Sequence, residues 1–276
     1  MKIFGFDFTS APSRKKPITC AEGVLEGERL LIERVVRIED FYGFEEALHR
    51  AGPWVGGFDF PFGQPRELIV ELDWARSWAG YVQYVERIGK GTFEETLKSF
   101  SAGREAGHKL LRRATDEAVN AVSPMQLDFV PVGKMFFQGA PRLLRAGVNI
   151  LPCRPNGDSR VALEVYPALV ARALVGRRSY KQDARKQQTE PQRATREALV
   201  NGLVNGAVAE RYGVQAVLRE GQGEALVEDA TGDLLDAVLC AIQAGWAAQQ
   251  TGYGIPAGCD GLEGWIVGAG SFYYNS

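Results

Sequence analysis

The amino-acid sequence predicts an α/β fold in which a mixed β-sheet is flanked by helices. Short runs rich in β-branched and aromatic residues occupy the first sixty positions, and turn residues separate them. Helical spacing of apolar residues dominates after residue 64 and again late in the chain. The order of strand, hairpin, helix, strand, helical segment, strand and helices fits a sheet with helices on its faces.

Turn and capping residues delimit the first elements. These elements are a strand at residues 2–8, a hairpin at 18–25 and 29–38, a helix at 41–50 and a strand at 54–60. Gly27 stands at the centre of the hairpin turn, Asp40 is a predicted N-cap, and Gly52 with Pro53 ends the helix. The fourth strand is apolar almost throughout, as a strand covered on both faces should be. The crossover helix makes the first and fourth strands candidates for parallel neighbours.

Residues 64–150 differ in character from the segments around them. Their pattern is mostly helical, with several aromatic residues and a basic run at 104–113. A loop of this length without structure of its own is uncommon. We therefore expect a helical insertion or subdomain after the fourth strand, within one domain that spans residues 1–276.

The remaining chain predicts another buried strand, several helices and a glycine-rich tail. The predicted elements are a strand at 160–166, a helix that Pro167 opens, helices at about 192–211 and 231–250, and a short last strand at 265–267. Proline suits the first position of a helix, where the backbone N–H has no intrahelical partner.

The composition is that of an ordinary globular protein, with 45% hydrophobic residues, 24% charged residues and a formal net charge of −2. Any nucleic-acid contact must therefore come from local basic patches. The four cysteines lack the paired spacing of a zinc site. The N-terminus has no signal-peptide pattern and no stretch is apolar enough to span a membrane, so we expect a cytoplasmic protein without a membrane partner.

Three acidic residues lie within or at the ends of predicted apolar strands, where an ionised carboxylate needs a partner. They are Asp7, Asp59 and Glu164, and no cation stands near them in the sequence. A shared Mg²⁺ or Mn²⁺ ion would serve all three, because these ions prefer oxygen ligands. For any one of these acids, a structural role as a cap or an ion-pair partner is the alternative.

Two further acids, Asp233 and Asp236, stand three residues apart and share one face of a predicted helix. The first turn of a helix favours negative charge, which gives Asp233 a structural alternative. Asp236 lies deeper in a very apolar helix. We favour Asp236 as the fourth carboxylate and keep Asp233 as an alternative metal ligand.

The motifs around these acids follow a known pattern. They are Gly5-Phe6-Asp7 followed by Thr9-Ser10, Gly57-Phe58-Asp59-Phe60-Pro61-Phe62-Gly63, Leu163-Glu164-Val165-Tyr166-Pro167 and Asp233-Leu234-Leu235-Asp236-Ala237. The pattern resembles the ribonuclease-H-like superfamily and, more narrowly, a family of uncharacterised predicted nucleases labelled domain of unknown function 429. The likeness spans essentially the whole chain and is least constrained in residues 64–150.

The resemblance implies a ribonuclease-H-like sheet in which Asp7 and Asp59 are neighbours. Glu164 and Asp236 would complete a catalytic site for two Mg²⁺ or Mn²⁺ ions, with Asp7 as the bridging ligand. The implied activity is metal-dependent phosphodiester hydrolysis, and the implied partner is nucleic acid or a nucleotide. Thr9 and Ser10 belong to the first motif, and we expect them to contact the substrate.

A basic segment follows the Glu164 strand and its helix. Residues 172–196 hold eight Lys or Arg residues and two acids, a local net charge of +6. A phosphate-rich substrate would suit such a rim, so Lys181, Arg185 and Lys186 are candidate substrate-binding residues. The alternative is a solvated charged surface.

Two other functions compete with a nuclease. The first is an ATP-dependent phosphotransferase of the sugar-kinase and actin type, for which residues 5–10 resemble a phosphate loop. Its second glycine-rich loop is harder to place, because Gly268 and Gly270 lie too close to the C-terminus to open a helix. The second is a non-catalytic nucleic-acid-binding module. His49 and His108 stand in no nucleophile motif, which argues against covalent hydrolase chemistry.

Overall fold

The computed structural model describes residues 1–105, 107–182 and 187–270. The strands in that part of the chain are β1 (Lys2–Asp7), β2 (Ile18–Glu26), β3 (Arg29–Ile38), β4 (Trp54–Asp59), β5 (Asn149–Leu151), β6 (Arg160–Glu164) and β7 (Gln215–Val217). They form one mixed sheet in the order β5-β6-β4-β1-β2-β3-β7. β1 is antiparallel to β2 and parallel to β4, and β4 is parallel to β6. The predicted mixed sheet and the parallel contact between the first and fourth strands are confirmed.

Helices cover both faces of the sheet. The described helices are α1 (Phe41–Leu48), α2 (Arg66–Glu71), α3 (Trp78–Ala102), α4 (Ala114–Val119), α5 (Val132–Ala146), α6 (Pro167–Val175), α7 (Glu190–Val204), α8 (Ala207–Tyr212), α9 (Gln222–Glu228) and α10 (Asp233–Ala248). α10 packs on β1, β2 and β4 and against α6. The buried side chains of α1, α3 and α5 belong to the core on the opposite face of the sheet. None of the described helices is long and apolar enough to cross a membrane.

Local sequence accounts for the hairpin and for α1. Gly27 has a φ of 57°, a left-handed conformation that glycine adopts without strain, and it joins β2 to β3. The side chain of Asp40 accepts a hydrogen bond of 2.8 Å from the backbone N–H of Gly43 and caps α1. Both features agree with the predictions from the sequence.

Alternation along β1 and β4 decides which side chains face α10. Ile3 joins the apolar core beneath α10, whereas Phe6 and Phe58 join the core beneath α1. Successive side chains of a strand point to opposite faces. Asp7 and Asp59 therefore belong to the face that α10 covers.

Several elements differ from the prediction. Residues 64–150 contain α2 to α5, but the segment ends in the edge strand β5. The helix predicted at 192–211 is two helices, because Gly206 adopts a φ of 97° and interrupts it. In place of the predicted last strand, a single bridge joins Ile266 to Glu164. The short strands β5 and β7 and the helix α9 were not predicted, because elements of three to seven residues leave little periodic pattern.

Candidate functional site

The tetrapeptide Gly-Phe-Asp-Phe occurs twice, at residues 5–8 and 57–60. β1 and β4 place the two copies in register, so Asp7 is the direct neighbour of Asp59. The rings of Phe6 and Phe58 stack with their centroids 4.6 Å apart on one face of the sheet. The two carboxylates therefore lie side by side on the other face, at the carboxyl ends of two parallel strands.

The glycine of each tetrapeptide lets α10 lie directly on the sheet. A Cβ atom at Gly5 would overlap the backbone of Ala237, and one at Gly57 would lie 2.8 Å from the carbonyl oxygen of Cys240. Only glycine permits so close an approach. The first turn of α10 thereby brings Asp236 to the two strand acids.

Asp236 is fully buried and has two polar partners from the segment after α6. The hydroxyl of Tyr180 donates a hydrogen bond of 2.5 Å to one carboxylate oxygen. The ammonium group of Lys181 donates to the other oxygen and forms an ion pair with it. Asp236 is therefore held in place by a neutral donor and a cation.

Asp233 lies at the edge of this cluster. Its carbonyl oxygen accepts a hydrogen bond of 2.7 Å from the hydroxyl of Thr19, which anchors the start of α10 to β2. Asp229 accepts a hydrogen bond of 2.9 Å from the N–H of Leu234 and assists that anchoring. Asp236 is the more buried of the two helix acids, so the geometry favours it as the fourth acid.

Burial and mutual repulsion raise the pKa values of the acids. Burial, followed by the charge of Asp236, raises the pKa of Asp7 well above its usual value. The same two causes raise the pKa of Asp59 to about 7. Burial and the charge of Asp229 raise the pKa of Asp233. Lys181 opposes all three shifts, so among the described residues one ammonium group balances only part of the negative charge of the cluster.

Glu164 has a different set of partners. Arg113 donates to both of its oxygens, at 2.8 and 2.6 Å, and the N–H of Phe62 donates at 2.9 Å. Arg113 also donates to both oxygens of Asp116, at 2.9 and 2.7 Å. Burial raises the pKa of Glu164, and the charge of Arg113 opposes the shift. Glu164 therefore belongs to a buried ion-paired triad with Arg113 and Asp116.

The strand register explains why Glu164 lies apart from the aspartate cluster. Glu164 is paired with Phe58 and not with Asp59, so its side chain leaves the sheet on the face opposite to the aspartate cluster. No cation stands near the strand acids in the sequence, but the fold brings distant ones to two of the predicted site acids, since Arg113 pairs Glu164 and Lys181 pairs Asp236. These cations stand 51 and 55 residues away from their partners in the sequence. No local sequence signal could identify them.

A cleft of about 340 Å³ opens at the carboxyl edge of the sheet. Charged residues line part of it, namely Asp59, Arg113, Asp116, Glu164 and Lys181. The rest of its wall is mainly apolar, with Pro61, Val122, Val130, Met135 and Ile266 among the lining residues. The cleft gives a ligand access to Asp59 and Lys181.

The predicted substrate-binding residues have different locations. Thr9 and Ser10 directly follow Asp7 and are partly exposed at the same edge of the sheet. Lys181 lines the cleft. Arg185 and Lys186 lie outside the described residues. The rest of the basic segment is only partly free, because Arg196 is buried and donates to the carbonyl oxygens of Val227 and Tyr180.

The oxygen donors of Asp7, Asp59 and Asp236 are of the type that Mg²⁺ and Mn²⁺ prefer. Within the described ranges, however, no three His, Cys, Asp or Glu side chains form a ready-made metal site. The ammonium group of Lys181 serves as a counter-ion of Asp236 in this structure. Asp7, Asp59 and Asp236 supply the oxygen donors of the cluster, whereas both oxygens of Glu164 are engaged by Arg113.

One comparison with known proteins identifies a family. No curated protein and no solved structure matches the chain. The family described as "Protein of unknown function (DUF429)" matches residues 19–260, which include Asp59, Glu164 and Asp236. Because the match covers most of the sequence, the chain belongs to the DUF429 family.

Proposed function

We propose that this protein is a divalent-metal-dependent phosphodiesterase, a nuclease, whose metal ligands are Asp7, Asp59 and Asp236. One observation carries the proposal. Two aspartates in register on parallel strands and a third on α10 share, within the described part of the chain, one ammonium group as their counter-charge. Like charges held together in this way favour a cation of higher charge.

The chain's own residues have distinct tasks in such a site. Asp7, Asp59 and Asp236 would hold Mg²⁺ or Mn²⁺, whose Lewis acidity polarises a phosphate ester and lowers the pKa of a bound water. Tyr180 keeps Asp236 oriented through its hydrogen bond. Lys181 lines the cleft and, once released from Asp236, is placed to hold a substrate phosphate.

The proposal departs from the resemblance in the role of Glu164. We propose that Glu164 is a structural residue, because its triad with Arg113 and Asp116 ties β6 to the segment before α4. Arg113 also donates a hydrogen bond of 2.8 Å to the carbonyl oxygen of Glu263 and so binds the C-terminal segment to the same point. The proposed metal ligands are therefore the three aspartates without Glu164.

Thermal unfolding with and without Mn²⁺ tests the metal site. The wild type, Asp7→Asn and Asp236→Asn are compared with the control Asp73→Asn. The side chain of Asp73 is fully exposed, and asparagine tolerates the left-handed backbone conformation of this position. At one hundred times its dissociation constant, Mn²⁺ stabilises the folded state by about 2.7 kcal/mol. We expect Tm rises on the order of 5–10 °C in the wild type and in the control.

Hydrolysis provides the second readout. The four proteins are assayed with bis(4-nitrophenyl) phosphate and Mn²⁺, and we expect turnover from the wild type and Asp73→Asn only. Loss of the Tm rise and of turnover in both site variants supports the proposal. Equal responses to Mn²⁺ in all four proteins would contradict it.

A further inference from the structure

A second recess adjoins the cleft. It has a volume of about 260 Å³ and shares two lining residues, Ala168 and Tyr180, with the cleft. Because Tyr180 also donates to Asp236, the recess and the cleft meet beside the aspartate cluster. A ligand long enough to occupy both would pass this cluster.

The recess is basic. Arg172, Arg177 and Arg178 line it at the C-terminal end of α6. Arg172 donates to the carbonyl oxygen of Val119 at 2.9 Å and lies over the ring of Tyr166, so it is partly engaged. Arg177 and Arg178 are exposed, although the Nε–H of Arg178 donates a hydrogen bond of 2.9 Å to the carbonyl oxygen of Val175. Two guanidinium groups therefore border the recess, and guanidinium groups are well suited to phosphate oxygens.

The mouth of the cleft carries an exposed apolar surface. Val122 and Val130 line the cleft and are about half exposed. Phe129, next to Val130, is fully exposed and has a φ of 62°. A bulky side chain in a left-handed conformation is strained, and a ring that is exposed to water makes no packing contacts in the core. Such a ring is suited to stacking on a flat apolar group of a ligand.

We propose that the cleft and the recess bind single-stranded nucleic acid, with an unpaired base on the apolar mouth and the adjacent phosphate on Arg177 and Arg178. This inference rests on the proposed function for the chemistry at the aspartate cluster. A volume of about 340 Å³ is at the small end of ligand pockets. The faces of a base inside a duplex are covered by the neighbouring base pairs, so only an unpaired base can stack at the mouth of this small cleft.

Binding measured without a divalent ion separates this inference from hydrolysis. Fluorescein-labelled T10 DNA, U10 RNA and a ten-base-pair DNA duplex are titrated in EDTA, with fluorescence anisotropy as the readout. We expect one of the single strands to bind at least tenfold more tightly than the duplex. We expect Phe129→Ala to weaken this binding on the order of tenfold, through the loss of one stacking contact.

The salt dependence identifies the phosphate contacts. Each phosphate contact to a single strand contributes about 0.7 to the slope of log K against log salt. The double variant Arg177→Ala/Arg178→Ala should therefore lower the slope by about 1.4. Phe129→Ala should leave the slope unchanged.

Matched controls remove the same groups elsewhere. Arg29→Ala/Arg219→Ala deletes two exposed arginines at the β3–β7 edge, and Tyr42→Ala deletes an exposed aromatic ring of α1. Equal binding of duplex and single strands, or equal losses in the controls, would overturn the inference. Single-strand binding without metal-dependent turnover contradicts only the proposed function. Turnover of bis(4-nitrophenyl) phosphate without a single-strand preference contradicts only the present inference.

Discussion

Lys181 and Asp236 form an ion pair whose two partners lie in different environments. The Asp236 side chain is fully buried, whereas the Lys181 side chain is 48% exposed. The lysine can therefore leave towards solvent while the carboxylate stays in the core. Under the proposed function, this asymmetry lets Asp236 exchange the ammonium group for a metal ion.

The first prediction concerns the exchange of this counter-ion. Lys181→Met should lower the metal-free stability by about 1–3 kcal/mol, less than for a fully buried pair because the lysine is half exposed. It should also increase the Tm rise that Mn²⁺ causes, since the metal no longer competes with an ammonium group. Thermal unfolding at several Mn²⁺ concentrations measures both effects.

Lys98→Met is the control for that variant, because Lys98 is an exposed lysine of α3 that does not line the cleft. It should change neither stability nor the Mn²⁺ response. A smaller Mn²⁺ response in Lys181→Met than in Lys98→Met would mean that Lys181 supports the metal instead of competing with it.

The second prediction concerns pH in the absence of metal. Folding raises the pKa of Asp59 to about 7 and that of Asp7 well above its usual value. The folded state therefore binds protons more tightly than the unfolded state. This proton binding contributes to the free energy of unfolding at low pH, and the contribution is lost as pH rises to about 7. Between pH 5 and pH 8, the free energy of unfolding should fall on the order of 2 kcal/mol further in the wild type than in Asp59→Asn.

Urea unfolding in EDTA at the two pH values measures this difference. Added Mn²⁺ should reverse the trend, because its ligands must be deprotonated and its affinity therefore rises with pH. Equal pH dependence of the wild type and Asp59→Asn would show that Asp59 titrates normally.

Much of this arrangement could be predicted from the sequence. The hairpin turn, the Asp40 cap and the apolar fourth strand are local signals, and they lead to the parallel contact of β1 with β4. The acids Asp7 and Asp59 follow from the same strands, because each ends an apolar run. Local chemistry therefore predicted the centre of the sheet and two of its acids.

The partners of the acids could not be predicted in this way. The register of β6 against β4 is set by long-range packing, and one step of register decides the face on which Glu164 lies. Arg113 stands in a segment between helices whose sequence pattern is that of an exposed basic run, yet its side chain is buried. Only the folded chain brings it to Glu164 and Asp116.

The third prediction separates Glu164 from the aspartate cluster. Arg113→Met leaves two buried carboxylates without a cation and should cost about 3–5 kcal/mol. Glu164→Gln should cost about 1–3 kcal/mol, because Arg113 keeps Asp116. The Tm rise that Mn²⁺ causes should persist in Glu164→Gln and should vanish in Asp236→Asn. A folded Glu164→Gln protein that no longer responds to Mn²⁺ would return Glu164 to the metal ligands.

The fourth prediction tests the close approach of α10 to the sheet. A methyl group at Gly5 overlaps the backbone of Ala237, which cannot rotate away as a side chain can. Gly5→Ala should therefore cost about 3 kcal/mol and should weaken the Mn²⁺ response, because α10 carries Asp236 away from the strands. Gly91→Ala, within α3, is the control, because a methyl group there meets no atom within 4 Å. This substitution should stabilise the protein by about 0.5–1 kcal/mol. Urea unfolding and Mn²⁺ titration of both variants decide the point, and an unchanged Mn²⁺ response in a destabilised Gly5→Ala protein would separate the site from the position of α10.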